Sequence, residues 1–211
     1  RAQAQSLSPQ ALAVALSDDL RRSIARDDVK SFHTILAAAA KSSIPAQSLI
    51  DADRTLMTEV AATGAPNIVA ALLADDPTSG EAVDPGGMTP LQAASSAGQV
   101  AIVRQLLAAE VSLRDSAGST GWVAGVKETA IRAVLLDALS SVSSELRSAV
   151  LSAKTADFPP LIKRGADPLS KDKDQATVFA AAAYLEDETQ AREVLKALVL
   201  AAGLPRDTLV D

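Results

Sequence analysis

The sequence predicts an all-α solenoid built from helical hairpins, and three observations predict it. Nearly half of the residues are apolar (48%) but only 2% are aromatic, so the interior must be made of Ala, Leu, Val and Ile on closely packed helices. Such Ala-rich sequence favours helix. The stretch GMTPLQAASSAGQVAIVRQLLAAEVSLRD from Gly87 reads as a helix start, a small-residue helix, a glycine turn and a second helix with an Ile-Val-x-x-Leu-Leu stripe. That pattern recurs along the chain at intervals typical of helical-hairpin repeats.

Taken in order, the elements justify one domain over 1–211 with about five to six units. SIARDDVKSFHTILAAA at 23–39 has the small-residue and Ile-Leu spacing without a Thr-Pro-Leu step, which reads as an N-terminal cap over about 8–50. Shifting the opening stretch back by 34 residues places Thr89 on Thr55, Gly98 on Gly64, Ile102-Val103 on Ile68-Val69 and Leu106-Leu107 on Leu72-Leu73, giving repeats at about 51–83 and 84–114. DDPTSGEA at 75–82 is a turn-rich insertion between them. A forward shift of 31 places Asp84 on Asp115, Gly87 on Gly118, Thr89 on Thr120 and Leu91 on Trp122, followed by a shorter helix IRAVLLDAL at 131–139, for a unit at about 115–141. In the next unit, 143–169, Phe158-Pro159-Pro160-Leu161 requires a helix that is short or begins at Pro159, because paired prolines break a helix interior. The last repeat, about 170–204, has Thr177-Val178-Phe179, an Ala run and VLKALVLAAGL, with EDETQ at 186–190 expected to lengthen the connection between its helices. Thr55, Thr89, Thr120 and Thr177 are expected at equivalent inner-helix starts.

Each position has a physical task. A Thr89 hydroxyl can cap the first helix, and Pro90 at its first position loses no hydrogen bond. Ala93, Ala94 and Ser95 keep the inner helix slim, Gly98 permits the turn, and Ile102, Val103, Leu106 and Leu107 form one buried stripe. With these residues in place, the chain resembles the ankyrin-repeat family, most closely from Asp84 to Val111 and more loosely over about 20–204. The resemblance implies an ankyrin-type solenoid with irregular capping units that binds another protein through its hairpin fingers and inner helices. The histidine usual after Thr-Pro-Leu in that family is Gln92, Thr58, Val123 and Ala180 here, so stacking is expected to rely on apolar contact.

Other chemistries are poorly provided for. A net charge of -6 and a pI near 4.9 oppose wrapping a phosphate backbone, so nucleic acid is not an expected partner. The absence of cysteine removes thiolate chemistry and disulfides. ALVLAAGL at 197–204 is far below the roughly 20 apolar residues of a membrane span. DPGGMTP and GSTGW lack the lysine and spacing of a phosphate loop. His33 is expected on the surface or in cap packing; Asp18-Asp19, Asp27-Asp28, Asp75-Asp76 and Glu186-Asp187-Glu188 are expected near helix ends or loops, where carboxylates suit helix N-termini. Trp122 is expected to be an oversized core residue. The alternating run KDKD at 171–174 reads as a solvated turn with value as a rim contact. No convergent acid-base pair is found, so neither catalysis nor a cofactor, metal or small-molecule substrate is expected. The chain begins at Arg1 without an initiator Met, and RAQAQSLSPQ has no signal-peptide apolar core. The expectation is a soluble protein of the cytoplasm or of an organelle interior reached with loss of a leader.

Carried over repeat by repeat, the resemblance implies partner contacts at Arg54 and Thr63; at Pro85, Met88, Ser96 and Ala97; at Ser116, Ser119, Lys127 and Glu128; and at Lys173, Asp174, Tyr184 and Leu185. A dissociable recognition module is the first reading. A permanent linker or accessory subunit of a large assembly, organellar after loss of a leader, is the second, and an enzyme is the remote third.

Overall fold

The computed structural model describes residues 8–205, and among them there is no strand. The helices are α1 (Pro9–Ala25), α2 (Val29–Lys41), α3 (Leu56–Thr63), α4 (Pro66–Asp75), α5 (Pro90–Ser96), α6 (Val100–Ala108), α7 (Thr129–Leu151), α8 (Phe158–Arg164), α9 (Val178–Ala183) and α10 (Glu188–Ala202). The chain separates into two compact units. One runs through Val111 and takes in Asp115–Arg132, and the other is Ser112–Arg114 with the chain from Ala133 onward.

In the first unit α1–α2, α3–α4 and α5–α6 are antiparallel hairpins, and inner helix α3 packs along inner helix α5. Leu20, Phe32, Leu49, Ile68, Leu91, Ile102 and Leu106 are fully buried between them. The inner helices start as the threonines predict. Thr55 Oγ1 accepts from the Thr58 amide at 3.2 Å and Thr58 Oγ1 from the Thr55 amide at 2.9 Å, while Thr89 and Gln92 exchange the same two bonds at 3.2 and 2.9 Å. Thr58 and Gln92, the residues in place of histidine, thus close capping boxes within their own helices. Gly64 and Gly98 take left-handed φ values of 93° and 76° at the turns between helices. A Cβ on Gly64 would stand 2.7 Å from the Gln99 side chain, which crosses from the next hairpin.

The cap hairpin uses Asp27 at that turn, at φ 53°. Its carboxylate accepts from the amides of Asn67 and Ile68, both at 3.0 Å, and from Asn67 Nδ2 at 2.8 Å. Asp27 therefore caps α4, a helix of the following hairpin whose own N-cap residue, Ala65, has no side-chain acceptor. Asp28 caps α2 and Asp187 caps α10, as acidic residues near helix ends should. Asp18 and Asp19 differ from the expectation: both lie inside α1, and Asp19 pairs with Arg22 one turn on. The 75–82 insertion folds into a 3₁₀ turn at Pro77–Glu81 that buries Gly80 against Val111 and Leu73.

Two expectations fail after Val111. Thr120 does not start an inner helix: it has φ -99°, ψ -1° and no side-chain cap bond, and the following Gly121–Gly125 is a 3₁₀ turn. Two glycines in five residues, and no proline after the threonine, remove what makes α5 start sharply. The shorter helix at 131–139 and the separate unit at 143–169 are likewise corrected, because α7 runs without a break from Thr129 to Leu151. Between Val126 and Phe158 the sequence has no glycine or proline to interrupt it.

In the second unit α7 ends at the left-handed Ala153 (φ 52°), and Pro159 sits in the first turn of the seven-residue α8, the short helix the paired prolines demand. The exposed carbonyls at the C-terminus of α8 are satisfied by Ser112–Arg114. Leu113 N donates to Arg164 O at 2.9 Å, Ser112 Oγ to Lys163 O at 2.7 Å, and Arg114 Nε to Ile162 O at 2.8 Å. Gly165 follows at φ 121°, and a Cβ there would lie 2.9 Å from Leu113 Cβ, so both backbone and space call for glycine. Thr177 caps α9 through the Ala180 amide at 3.3 Å. Asp187 caps α10, so residues 188–190 of the EDETQ stretch form its first turn instead of lengthening the connection.

Candidate functional site

The fingers are built by the same device three times. In the first, Asp84 N donates to Met88 O at 3.0 Å, Gly87 N to Asp84 O at 2.9 Å, and Met88 N to Asp84 Oδ1 at 2.8 Å. Asp115 and Ser119 repeat this, with Gly118 at the left-handed position, and so do Asp172 and Ala176, with Gln175 there at φ 63°. Each aspartate holds its own loop closed. In the third finger the sequence signal is Asp172, five residues before Thr177, with Gln175 in place of the glycine.

Within the first unit, the first finger, the C-terminal end of α5 and the segment before α7 enclose a groove of about 780 Å³. Gly86, Gly87 and Met88 line it from the first finger, Gln92, Ser95, Ser96, Ala97 and Gly98 from α5 and its turn, and Trp122 and Gly125–Glu128 from the segment before α7. The groove gathers the predicted contacts Met88, Ser96, Ala97, Lys127 and Glu128. Met88 is 40% exposed. Trp122 is half-buried, not a core residue as expected; Val123 next to it is the buried one. The 3₁₀ turn explains the exchange, since it shifts the inward-facing position by one residue from that of Leu91.

The other predicted residues lie elsewhere. Arg54 is half-buried and pairs with Glu59 at 3.4 Å; Thr63, Pro85, Ser116 and Ser119 are exposed outside the groove. Lys173, Asp174, Tyr184 and Leu185 belong to the second unit, where Tyr184 is 85% exposed and Leu185 half-buried. His33, assigned no role, is exposed on α2 with Nε2 3.8 Å from Asp75 Oδ2.

Two groove glycines are not dictated by the backbone. Gly125 does not take a left-handed φ, and a Cβ there would meet no atom within 4 Å; at Gly86 it would meet only Asp84 Oδ1, at an ordinary 3.4 Å. Gly87, by contrast, needs its left-handed φ of 84°. The free polar groups along the groove are the Ser96 hydroxyl and the Lys127 and Glu128 side chains, which make no hydrogen bond or ion pair among the described residues. Such a surface can present a side-chain pocket and a polar rim to another chain. Among the described residues, no three or more His, Cys, Asp or Glu side chains come together as a metal site would need.

Residues 86–116 match the ankyrin repeat family, covering the first finger, α5, α6 and the start of the second finger. That stretch is an ankyrin repeat, and the described residues have an all-α fold of the ankyrin type. No curated protein matches the chain. Ankyrin repeats are in general protein-protein interaction modules and are typically non-catalytic. Among the described residues, no helix is long and apolar enough to cross a membrane.

Proposed function

We propose that the chain binds a partner protein through the groove between its first finger, α5 and the segment before α7, with Trp122 and Met88 as anchors. The observation that carries this reading is the placement of Trp122. The one tryptophan of the chain is half-buried on a groove floored by Gly, Ser and Ala. Trp is the side chain that most often concentrates interface energy. The reading extends to the other exposed contact positions of the first unit, Thr63, Pro85, Ser116 and Ser119, as contacts of smaller weight, while Lys173, Asp174 and Tyr184 are contact positions of the second unit by itself. Gly86 and Gly125 keep the groove open without serving the backbone, which supports close approach by a partner chain.

The test places a photo-crosslinking residue at Met88 or, for comparison, at the exposed Arg104 of outer helix α6, in cells of the source organism. Titration of the crosslinked protein, once identified and purified, follows. Crosslinking from position 88 and a loss of about 2 kcal/mol or more in Trp122→Ala, with helicity unchanged, are expected. A Gly125→Leu substitution should weaken the same complex while leaving the thermal midpoint in place. Crosslinks from position 104 alone would move the binding face to the outer helices.

A further inference from the structure

A second concave surface lies wholly within the second unit, and its charges are not what the sequence suggests. KDKD at 171–174 alternates in sign and would be neutral as a solvated turn. The fold spends Asp172 internally. Its Oδ1 accepts from the amides of Asp174 and Ala176, both at 2.9 Å, and its Oδ2 pairs with Arg147 Nη1 at 3.0 Å. Arg147 also donates to Ala176 O, so these two charges compensate each other while pinning the finger to α7. Asp174 does not line the cleft. What the finger offers to the cleft is therefore the pair Lys171 and Lys173, both exposed and neither in an ion pair. The carboxylate opposing them is Asp167, whose Oδ1 is already held by the Leu169 amide at 2.9 Å.

The facing wall is the serine-rich side of α7. Ser143 accepts from the Asp167 amide at 3.3 Å, but Ser140 and Ser144 make no hydrogen bond among the described residues. Both line the cleft, which measures about 510 Å³. Four residues apart on one helix, they stand roughly 6 Å from each other on the same face. Two hydroxyl donors at that separation, together with two ammonium groups, suit a row of carboxylates better than a single small anion. We propose that this cleft takes an acidic segment of a partner protein, held by Lys171 and Lys173 and by the hydroxyls of Ser140 and Ser144. Charge complementarity selects the occupant: the cleft is locally cationic on a chain whose net charge is -6, so a generally basic partner is drawn to other surfaces.

The proposal does not rest on the groove of the first unit, and its test leaves that groove intact. Fluorescein-labelled hexaglutamate is titrated against the full chain by fluorescence anisotropy at about 50 mM salt, where screening is weak, and again at about 300 mM. Saturable binding that weakens with salt is expected, with no saturation by labelled hexalysine. The variant K171E/K173E should bind hexaglutamate at least about tenfold more weakly, and K171M/K173M about threefold or more, since neutralisation removes attraction without adding repulsion. Ser140→Ala with Ser144→Ala should lose severalfold. Unchanged binding in K171M/K173M, with helicity retained, would overturn the proposal. So would displacement of the peptide by inorganic phosphate at equal concentration, which would make the cleft a single-anion site.

Discussion

The hairpins of α3–α6 and the segment α7–α8 solve the same packing problem by different means. In the first region every inner helix begins at a threonine cap and ends at a left-handed glycine, with a finger or insertion before the next helix. In the second the outer helix of one unit and the inner helix of the next are one 23-residue helix, with no finger between them. Burial is equally deep in both, since Leu106 and Leu146 each expose 0% of their surface. The difference teaches that the ankyrin pattern is held by its core stripe, while its punctuation is local and can be lost where stop signals are missing. Stacked repeats need a continuous buried stripe, not identical joints.

The largest effects should be the same on both sides. Leu106→Ala and Leu146→Ala are each expected to cost about 2–5 kcal/mol in denaturant unfolding, the range for truncating a buried leucine. A midpoint shift near zero for Leu146→Ala alone would mean that α7 is not packed as α6 is. Next comes the joint itself. Ser141 is an exposed residue in the interior of α7, so Ser141→Pro should cost about 3 kcal/mol or more by removing a helical hydrogen bond and clashing with the preceding turn. If a repeat boundary lay there instead, the proline would be tolerated, and circular dichroism with urea titration tells the two apart.

Smaller effects separate the regions by their caps. Thr89→Ala should lose about 1 kcal/mol, whereas Thr120→Ala should be close to neutral because Thr120 makes no cap bond. Equal losses would restore the four-fold equivalence of the threonines. The smallest effect concerns the third finger. The hydrogen bond from the Ala176 amide, aided by that of Asp174 and by the Arg147 charge and opposed by partial burial, holds the Asp172 carboxyl below its ordinary value. A carboxyl depressed on folding contributes fully above its unfolded pKa and loses that contribution as pH falls through the lower folded value. The Ala176 amide should therefore stay protected from hydrogen exchange at the ordinary carboxylate pKa and open only below it. Asp172→Asn should remove this acid dependence; an identical pH profile in the variant would refute it.

How much could be read in the sequence follows the same division. The Thr-Pro-Leu step, Gly64, Gly98 and the Ile-Val-x-x-Leu-Leu stripe each encode one local event, and the hairpins they mark are where they were placed. That the expected contact positions Met88, Ser96, Ala97, Lys127 and Glu128 line one groove follows from that regularity. The half-buried position of Trp122 is not legible from the repeat, because matching it to Leu91 assumes an α-helix and Gly121–Gly125 is a 3₁₀ turn with another inward register. The serines at 140–144 look like a joint when repeats are counted, but serine costs a helix little and nothing beside it stops one. Asp27 could not have been read as the cap of α4, since its partners are 40 and 41 residues away.

The unbroken α7 also limits how such an array can change over time. Repeat proteins gain and lose whole units because each boundary falls in a loop, and excision there leaves two chain ends that can be rejoined. Deleting or duplicating the hairpin on either side of Ser141 would instead cut through a helix and leave half of it without a partner. Recombination at the finger after α4 or α6 meets no such obstacle. A hairpin could be added to the front part without cutting a helix, whereas at the rear the same change would have to carry α7 whole.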